Sequence, residues 1–271
     1  MIPLTVDNRM LGYESLGSCS NISHFVTTRY GGCGDEAYSS FNCSPFCGDK
    51  EETVCRNQQW LLEALPQRPR ELLIPFQVHG TNIRVIDDSF LAASAETRKE
   101  ELNGIDALMT REPGCCICIS TADCVPVLLY DPKQRVVAAV HAGWRGTLES
   151  VVSRVLAQMF STFGTDGADV LACIGPSISL ESFEVGEEVY HLFHEKGFDL
   201  PRLSIWNEKT KKHHLDLWEA NRLQLLVAGV PAGQIETAGI CTYIHHDDFF
   251  SARRLGVKSG RILSGIVLNK E

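Results

Sequence analysis

The sequence predicts an α+β fold, in which residues 1–271 form a single domain of mixed β-sheets flanked by helices. Strand-like and helical segments are interleaved, and several of the strand-like runs are apolar throughout, which is typical of strands covered on both faces. Turns of hairpin length also occur, and they favour mixed sheets over a doubly wound parallel sheet. No repeat, low-complexity tract or linker divides the chain.

Four helices are predicted from capping residues and from the 3.6-residue period of apolar side chains. Asp49 and Glu52 form a D-x-x-E capping box before an amphipathic run, and Asp216 and Glu219 form another. A third apolar face is closed by Gly164, a residue typical of helix ends. The predicted helices span 49–64, 147–163, 184–196 and 216–228.

The strands are predicted from short runs rich in β-branched and aliphatic residues, bounded by turn residues. The most polar stretch, 95–104, is interpreted as a surface loop or a short helix. The predicted strands span 24–28, 72–78, 82–86, 105–110, 115–121, 125–130, 135–141, 170–174, 235–240 and 261–268.

The composition is that of an ordinary globular protein, with 44% hydrophobic and 22% charged residues. The net charge of -9 argues against a nucleic-acid partner. We see no signal peptide and no apolar run as long as a membrane span, so no membrane partner is expected. The eleven cysteines are an odd number in a chain long enough to fold without disulfides. A cytoplasmic protein with reduced thiols is therefore expected.

A predicted hairpin brings a cysteine close to a histidine. Asp and Pro in the turn "DPKQ" (131–134) are typical of a type I turn, and apolar runs lie on both sides. If Tyr130 pairs with Arg135, then Cys124 lies directly opposite His141 and on the same face. Both residues lie at the open end of the hairpin.

Such a pair has three interpretations: inert core residues, a nucleophilic Cys–His pair, or two ligands of a metal. Asp123 beside the thiol and the glycines of "HAGWRG" beside the imidazole favour a functional site. His79 in "PFQVHG", with Gln77 two residues before it, is a candidate third ligand. Two histidines and one thiolate would form a zinc site with an open fourth position for water. Spacing alone does not join His79 to the others, because 45 residues separate it from Cys124.

The chain resembles a known family, the YfiH-like family, which is also called the laccase-domain or multicopper polyphenol oxidase family. Its members are described as purine nucleoside phosphorylases that also deaminate adenosine. The matching segments, in order, are "TTRYGG", "FN", "GD", "QVHG", "DALMT", "TADCVPVLLYD", "AAVHAGWRGT", "IGPSIS", "FEVGEEV", "LDLWEAN", "CT", "FFSARR" and "SGRILSGIVL".

The resemblance implies that His79, Cys124 and His141 bind one zinc ion per chain, with copper as the less favoured metal. It implies small-molecule partners, namely phosphate and the nucleosides adenosine, inosine, guanosine and methylthioadenosine. The departures are small: "SFN" stands where the family usually has "SLN", and no tyrosine precedes the arginines of "FFSARR". They affect the expected substrate contacts and no ligand.

Asp123 is the candidate general acid and base for deamination, although it could instead orient a ligand or cap a turn. Arg145 and the amides at the start of the helix at 147 are candidates for holding phosphate. The alternative for Arg145 is a structural ion pair. Arg29 in "TTRYGG" is a second phosphate candidate.

Three further substrate contacts are expected. By the family pattern, Gln77 and Asn42 would read polar edges of a nucleoside. Arg253 in "FFSARR" would line either the site or the surface.

The sequence also permits other functions. In one, Cys124 is a nucleophile with His141 as its base, and the enzyme cleaves an amide in a peptidoglycan precursor. In another, copper oxidises phenols, but multicopper sites need many histidines, and only two of the nine lie in the site motifs. A binding module without catalysis would leave the open three-ligand pattern unexplained.

Overall fold

A computed structural model describes residues 1–270 of the chain. Its strands are β1 (Ile2–Pro3), β2 (Met10–Gly12), β3 (Ile22–Thr27), β4 (Glu71–Leu73), β5 (Ile83–Ile86), β6 (Ala107–Thr110), β7 (Cys115–Thr121), β8 (Val125–Asp131), β9 (Val136–Ala142), β10 (Leu171–Ile174), β11 (Glu184–Val185), β12 (Ser204–Asn207), β13 (Lys212–Leu215), β14 (Ile235–Thr237) and β15 (Ile262–Leu268). Its α-helices are α1 (Glu14–Gly17), α2 (Glu51–Ala64), α3 (Asp88–Ala92), α4 (Ala95–Glu101), α5 (Trp144–Leu148), α6 (Val151–Phe163), α7 (Glu187–Glu195), α8 (Leu200–Leu203), α9 (Leu217–Val227) and α10 (Ala252–Leu255).

The strands form two six-stranded sheets and one three-stranded sheet. The first sheet has the order β1-β2-β3-β15-β7-β4, the second β14-β10-β8-β9-β6-β5, and the third β11-β13-β12. Three neighbouring pairs are parallel and the others are antiparallel. The predicted α+β class with mixed sheets and flanking helices is therefore confirmed. Within residues 1–270, no helix is long and apolar enough to cross a membrane.

The two large sheets pack face to face, and a helix layer covers each outer face. Strand β8 shows the consequence, since Leu128 lies in the core between the sheets while Val127 and Leu129 lie in the core beneath α6 and α9. Helix α2 covers the outer face of the first sheet, where Leu61 packs with Phe25. The prediction of strands buried on both faces is confirmed.

The β8–β9 hairpin forms, but its predicted register is wrong. Asp131 pairs with Val136, and Pro126 rather than Cys124 pairs with His141. Asp131 belongs to the strand because its carboxylate accepts the amides of Lys133 and Gln134 at 2.9 and 3.1 Å, while Arg135 takes a left-handed conformation with φ 54°. These bonds move the turn by one residue. The shift alters the pairing by two positions, so the side chains keep their faces.

The predicted helix 147–163 is in fact two helices. Helix α5 starts earlier, at Trp144, and the chain breaks at Ser150, whose φ of 59° is left-handed. Helix α6 then runs to Phe163, and Gly164 caps it with φ 75°, as predicted. The helical spacing of the apolar residues continues across Ser150, so it gives no sign of the break.

Two other helix starts also differ from prediction. Asp49 does not cap α2, because its carboxylate accepts from the Asn42 side chain and the Lys50 amide. The segment 184–196 begins as strand β11, so helix α7 starts only at Glu187. The predicted cap of α9 is confirmed, since the side chain of Asp216 accepts from the Glu219 amide.

The predicted strand 72–78 ends at Leu73. Beyond it the chain makes only an isolated bridge, in which Phe76 donates to Leu102 and accepts from Gly104. Pro75 has no amide hydrogen to extend the ladder. The freed segment runs toward the ends of β7 and β9 and the starts of β6, β8 and β15, which meet at one end of the two sheets.

Candidate metal centre

Three potential metal ligands meet at that end of the sheets. His79 lies in the irregular segment after β4, Cys124 directly precedes β8, and His141 is the penultimate residue of β9. Their ligand atoms all lie within 4.8 Å of one another. The structure thus brings together the three residues that the sequence analysis proposed as ligands. Within residues 1–270, they form the one cluster of three or more potential ligands.

The three side chains differ in exposure. His141 is 2% exposed, Cys124 is partly buried and His79 is exposed. The two imidazole rings meet edge to face, with their centroids 4.8 Å apart. The cluster is therefore buried on the side of β9 and open on the side of His79.

Asp106 holds two of these residues in place. Its carboxylate is fully buried and lies 2.8 Å from Nδ1 of His141. It also accepts the backbone amides of His79 at 2.9 Å and Gly80 at 2.7 Å. Because Asp106 occupies Nδ1, Nε2 of His141 is the nitrogen left for a metal. Burial raises the pKa of this carboxyl, but the bonds from His141 and the amides outweigh it, so the pKa is lowered.

The thiol and the buried imidazole influence each other's charge. Burial raises the pKa of the Cys124 thiol. The charge of His141 and hydrogen bonds from both histidines have a larger, opposite effect, and the pKa is lowered to about 6. Burial lowers the pKa of His141, but Cys124 and Asp106 raise it to about 9. Around neutral pH the thiolate, which is the form that binds metals, is therefore favoured.

Both ligand-bearing loops contain a residue with left-handed backbone. His79 has φ 64° and Asp123 has φ 86°, a region that non-glycine residues rarely adopt. Asp106 fixes the first loop. Asp123 fixes the second, because its carboxylate accepts from the Thr242 hydroxyl and from the Arg253 amide, both at 2.7 Å. The carboxylate predicted as acid and base thus has a partner on each oxygen.

Gly143 lets the ligands come together. A Cβ atom at this position would lie 3.1 Å from Sγ of Cys124 and 3.1 Å from Cδ2 of His79. These contacts are tighter than a Cβ atom normally makes, so the Cys124 and His79 side chains would have to move slightly apart to admit it. The first glycine of "HAGWRG" therefore leaves room for Cys124 and His79 to lie close together.

The ligands line a cavity of about 290 Å³. Phe46 and Phe76 form one wall, their rings meeting edge to face at 5.3 Å, and each is 44% exposed. Arg261 and Val257 also line this cavity. A larger cavity of about 720 Å³ shares the two phenylalanines but contains none of the metal ligands. The chemistry of the site points to the smaller one.

Two of the predicted substrate-binding residues shape the walls. Gln77 lines the cavity, yet its side-chain amide donates to the Ser120 carbonyl at 2.9 Å and accepts the Ser120 amide at 2.7 Å. Asn42 is fully buried and does not line the cavity; its oxygen accepts the Arg261 amide at 3.1 Å. Both amides hold neighbouring backbone in place.

The three predicted arginines lie outside the cavity lining. Arg145 is exposed, with its guanidinium 4.2 Å from the centre of the Trp144 ring. Arg29 donates to the carbonyls of Ser39 and His246. Arg253 is exposed and donates to the Glu184 carbonyl.

The arginine that does line the cavity, Arg261, was missed, as was Asp106. Asp106 left a signal, because it is a lone carboxylate at the start of an apolar strand-like run. Arg261 precedes β15, more than a hundred residues beyond the last ligand, and no spacing pattern connects it to the site.

The chain is similar to known proteins over nearly its whole length. A family model described as multi-copper polyphenol oxidoreductase laccase matches residues 23–269. A Bacteroides thetaiotaomicron protein named purine nucleoside phosphorylase is 64% identical over 270 residues, covering 100% of both chains. Adenosine deaminase RL5, from an unknown prokaryotic organism, is 39% identical over 249 residues, 92% of this chain and 95% of the relative.

A solved structure shares the fold. The crystal structure of the Bacillus licheniformis hypothetical protein YfiH superposes with a TM-score of 0.87 at 30% sequence identity, covering 96% of this chain and 97% of that one. The family match extends over nearly the whole chain, and the resemblance seen in the sequence motifs is confirmed. This chain belongs to the multi-copper polyphenol oxidoreductase laccase family, the YfiH-like family.

Proposed function

We propose that this chain is an enzyme of purine nucleosides, which cleaves them with phosphate and deaminates adenosine, and that His79, Cys124 and His141 bind one zinc ion. The observation that carries the proposal is an open cluster of two histidines and a thiolate on the wall of a small cavity with an aromatic side. The names of the two relatives support the substrate class. The eleven free cysteines suit a reducing compartment, and we place the enzyme in the cytoplasm.

The donor set fits zinc. Zinc prefers imidazole nitrogen and thiolate sulfur, and catalytic zinc sites combine three protein ligands with an open position. The carboxylate of Asp106 against Nδ1 of His141 is the outer partner that metal-binding histidines usually have. Copper accepts similar donors, but phenol oxidation by several coppers would need further clusters, and residues 1–270 contain this one. Zinc is therefore the favoured metal.

Bound zinc would supply Lewis acidity and a water of lowered pKa. In phosphorolysis, a phosphate oxygen forms a bond to C1′ of the ribose while the C1′–N9 bond breaks. The electron pair of that bond leaves with the purine, which takes up a proton. In deamination, water replaces the amino group at C6 of adenosine, and ammonia leaves.

The chain's own residues bind and position the nucleoside in this proposal. The exposed ring of Phe46 would stack against the purine, and the ring of Phe76, which is nearly perpendicular to it, would meet the purine edge to face, since aromatic rings favour both contacts. Asp123 acts through Cys124, because its two hydrogen bonds fix the loop that carries the thiol. Gln77 and Asn42 hold the walls, and the exposed Arg145 and Arg253 contribute to the surface around the site.

Replacement of one ligand tests the proposal. We expect Cys124→Ala to lose zinc, phosphorolysis of inosine and deamination of adenosine together, because all three depend on one cluster. Cys55→Ala, an exposed thiol on α2, is the matched control and should behave like the wild type. Metal analysis and a nucleoside panel with and without phosphate give the readouts. Phosphorolysis retained by a zinc-free Cys124→Ala protein would refute the mechanism.

One observation favours a second candidate function. The lowered pKa of Cys124 beside His141 is also what a thiol nucleophile requires, as in a hydrolase that cleaves an amide of a peptidoglycan precursor. The two functions differ in how they respond to zinc. If the thiol is the nucleophile, alkylation should abolish amide hydrolysis, and removal of zinc should increase it. Stoichiometric zinc that protects Cys124 from alkylation in the active enzyme would exclude this function.

A further inference from the structure

We infer that Arg261 and Ser44 form an oxyanion subsite that binds phosphate beside the metal ligands. The inference deepens the proposed function and rests on it for the identity of the anion. Both residues line the 290 Å³ cavity that also contains His79, Cys124 and His141.

The guanidinium of Arg261 is held in place without being neutralised. Nη1 donates to the carbonyls of Ser259 at 2.6 Å and Gly260 at 3.0 Å, and Nη2 donates to the carbonyl of Val257 at 2.9 Å. In addition, the Arg261 amide donates to the buried side chain of Asn42. All these partners are neutral, and among residues 1–270 the guanidinium has no carboxylate partner. A residue of the cavity lining therefore carries a fixed positive charge.

The unused donors of Arg261 are suited to an oxyanion. A guanidinium has five N–H groups, and the three carbonyls use three of them. The Nε–H and one Nη2–H remain. Arginine commonly binds two oxygens of a phosphate or carboxylate side by side with such a pair. Because the guanidinium is already ordered, binding an anion costs little side-chain entropy.

Ser44 offers a second donor. The residue is almost completely buried, at 1% exposure, and still belongs to the cavity lining. Its hydroxyl oxygen accepts from the Ser120 hydroxyl at 3.1 Å and from the Phe46 amide at 3.5 Å. Its own hydrogen has no acceptor among the described residues. A buried hydroxyl without an acceptor is costly, and an anion in the cavity would satisfy it.

The other candidates for binding phosphate are less suitable. Arg145 is exposed and packs on Trp144, and helix α5 behind it is only five residues long. Arg29 has its guanidinium bonded to carbonyls away from the cavity. Of these arginines, Arg261 alone lines the cavity with the ligands. We therefore favour Arg261 over Arg145, the arginine that the sequence motif nearest to a helix start indicates.

Titration with inorganic phosphate, in the presence and absence of inosine, tests the subsite on the zinc-loaded enzyme. We expect Arg261→Gln to weaken phosphate binding about 10- to 100-fold, because two charge-assisted hydrogen bonds are lost. Arg261→Lys should lie between this variant and the wild type, since it keeps the charge and loses the paired donors. Ser44→Ala should weaken binding about 3- to 10-fold. Lys258→Gln removes an exposed positive charge from the same loop, outside the lining, and is the matched control.

Kinetics separate this role from a purely structural one. We expect the KM for phosphate to rise in Arg261→Gln while the KM for inosine changes by less than about twofold. If Arg261 only supports the loop at 257–260, both KM values would rise together, and the inference would fail. Zinc content and thermal melting show whether each variant folds. If Arg261→Gln does not fold, the KM values of Arg261→Lys and Ser44→Ala for phosphate and inosine provide the test instead.

Two outcomes distinguish this inference from the proposed function. A wild-type enzyme that does not bind phosphate, with or without inosine, overturns the subsite. A wild-type enzyme that binds phosphate through Arg261 but does not cleave inosine supports the subsite and refutes phosphorolysis.

Discussion

Replacement of Asp106 by asparagine is expected to weaken zinc binding although it removes no ligand. The carboxylate faces donors only: Oδ1 meets the His79 amide and Nδ1 of His141, and Oδ2 meets the amides of Gly80 and Val78. An asparagine has one acceptor and one donor group in the same place. Whichever way the amide is turned, its NH2 group points at a backbone N–H.

Both orientations harm the site. With NH2 on the side of Gly80, the loop that carries His79 loses its anchor, at a cost of about 1–3 kcal/mol for unpaired buried donors. With NH2 on the side of His141, it donates to Nδ1, and the imidazole hydrogen moves to Nε2, the nitrogen that the metal needs. Loss of such outer partners typically costs about 10- to 100-fold in metal affinity. We expect Asp106→Asn to fall in this range.

Competition with a chelator of known zinc affinity measures the effect. Asp131→Asn is the matched control, because Asp131 is also fully buried and accepts two backbone amides, but in the β8–β9 turn. We expect the control to lose stability and to keep its zinc affinity. If folded Asp106→Asn binds zinc within about twofold of the wild type, the reasoning on the Asp106–His141 contact is refuted.

Three further predictions each concern one residue. Gly143→Ala should weaken zinc binding about tenfold in the same assay, because its Cβ would press on Cys124 and His79; an unchanged affinity would show that the loops yield easily. Phe46→Ala should raise the KM for inosine about tenfold through lost stacking, with the KM for phosphate unchanged; equal changes in both would argue against a purine wall. Burial lowers the pKa of His24 from its ordinary 6.5 to about 4. As the pH falls from 6.5 to 4, the unfolded chain therefore binds a proton at this histidine before the folded chain does. The free energy of unfolding should fall by up to about 3 kcal/mol over this range. Urea unfolding across this range measures the free energy of unfolding, and the part of its fall that is due to His24 should be missing in His24→Gln. If the free energies of wild type and variant fall in parallel with pH, His24 is not the group responsible.

The strands were predictable where burial dominates the sequence pattern. β7 matches its predicted bounds, and β8 and β9 are within one residue, because strands covered on both faces are apolar almost throughout. The register between β8 and β9 was not predictable, since it depends on hydrogen bonds from the Asp131 side chain. Side-chain capping within a turn leaves little trace in hydrophobic patterning.

The site was predictable only as far as local pairing reaches. Cys124 and His141 share a hairpin, and an error of two positions in pairing keeps the side chains on their faces. His79 arrives from the first sheet, beyond the parallel pair of β4 and β7, so no local pattern connects it with the hairpin. Arg261 enters through the start of β15, which is paired to β7 from the far end of the chain. Such contacts depend on sheet order, and sheet order follows from the whole fold.

The left-handed backbone at His79 and Asp123 has a consequence for the choice of metal. Each such conformation costs about 1–3 kcal/mol, and the hydrogen bonds that sustain it come from the chain itself. The cost is therefore met during folding, before an ion arrives. An ion that requires another arrangement of donors must pull the two loops against the bonds of Asp106 and Asp123. The rigidity of the backbone at His79 and Asp123 then contributes to selectivity between ions of similar affinity, in addition to the preference of each ion for nitrogen and sulfur donors.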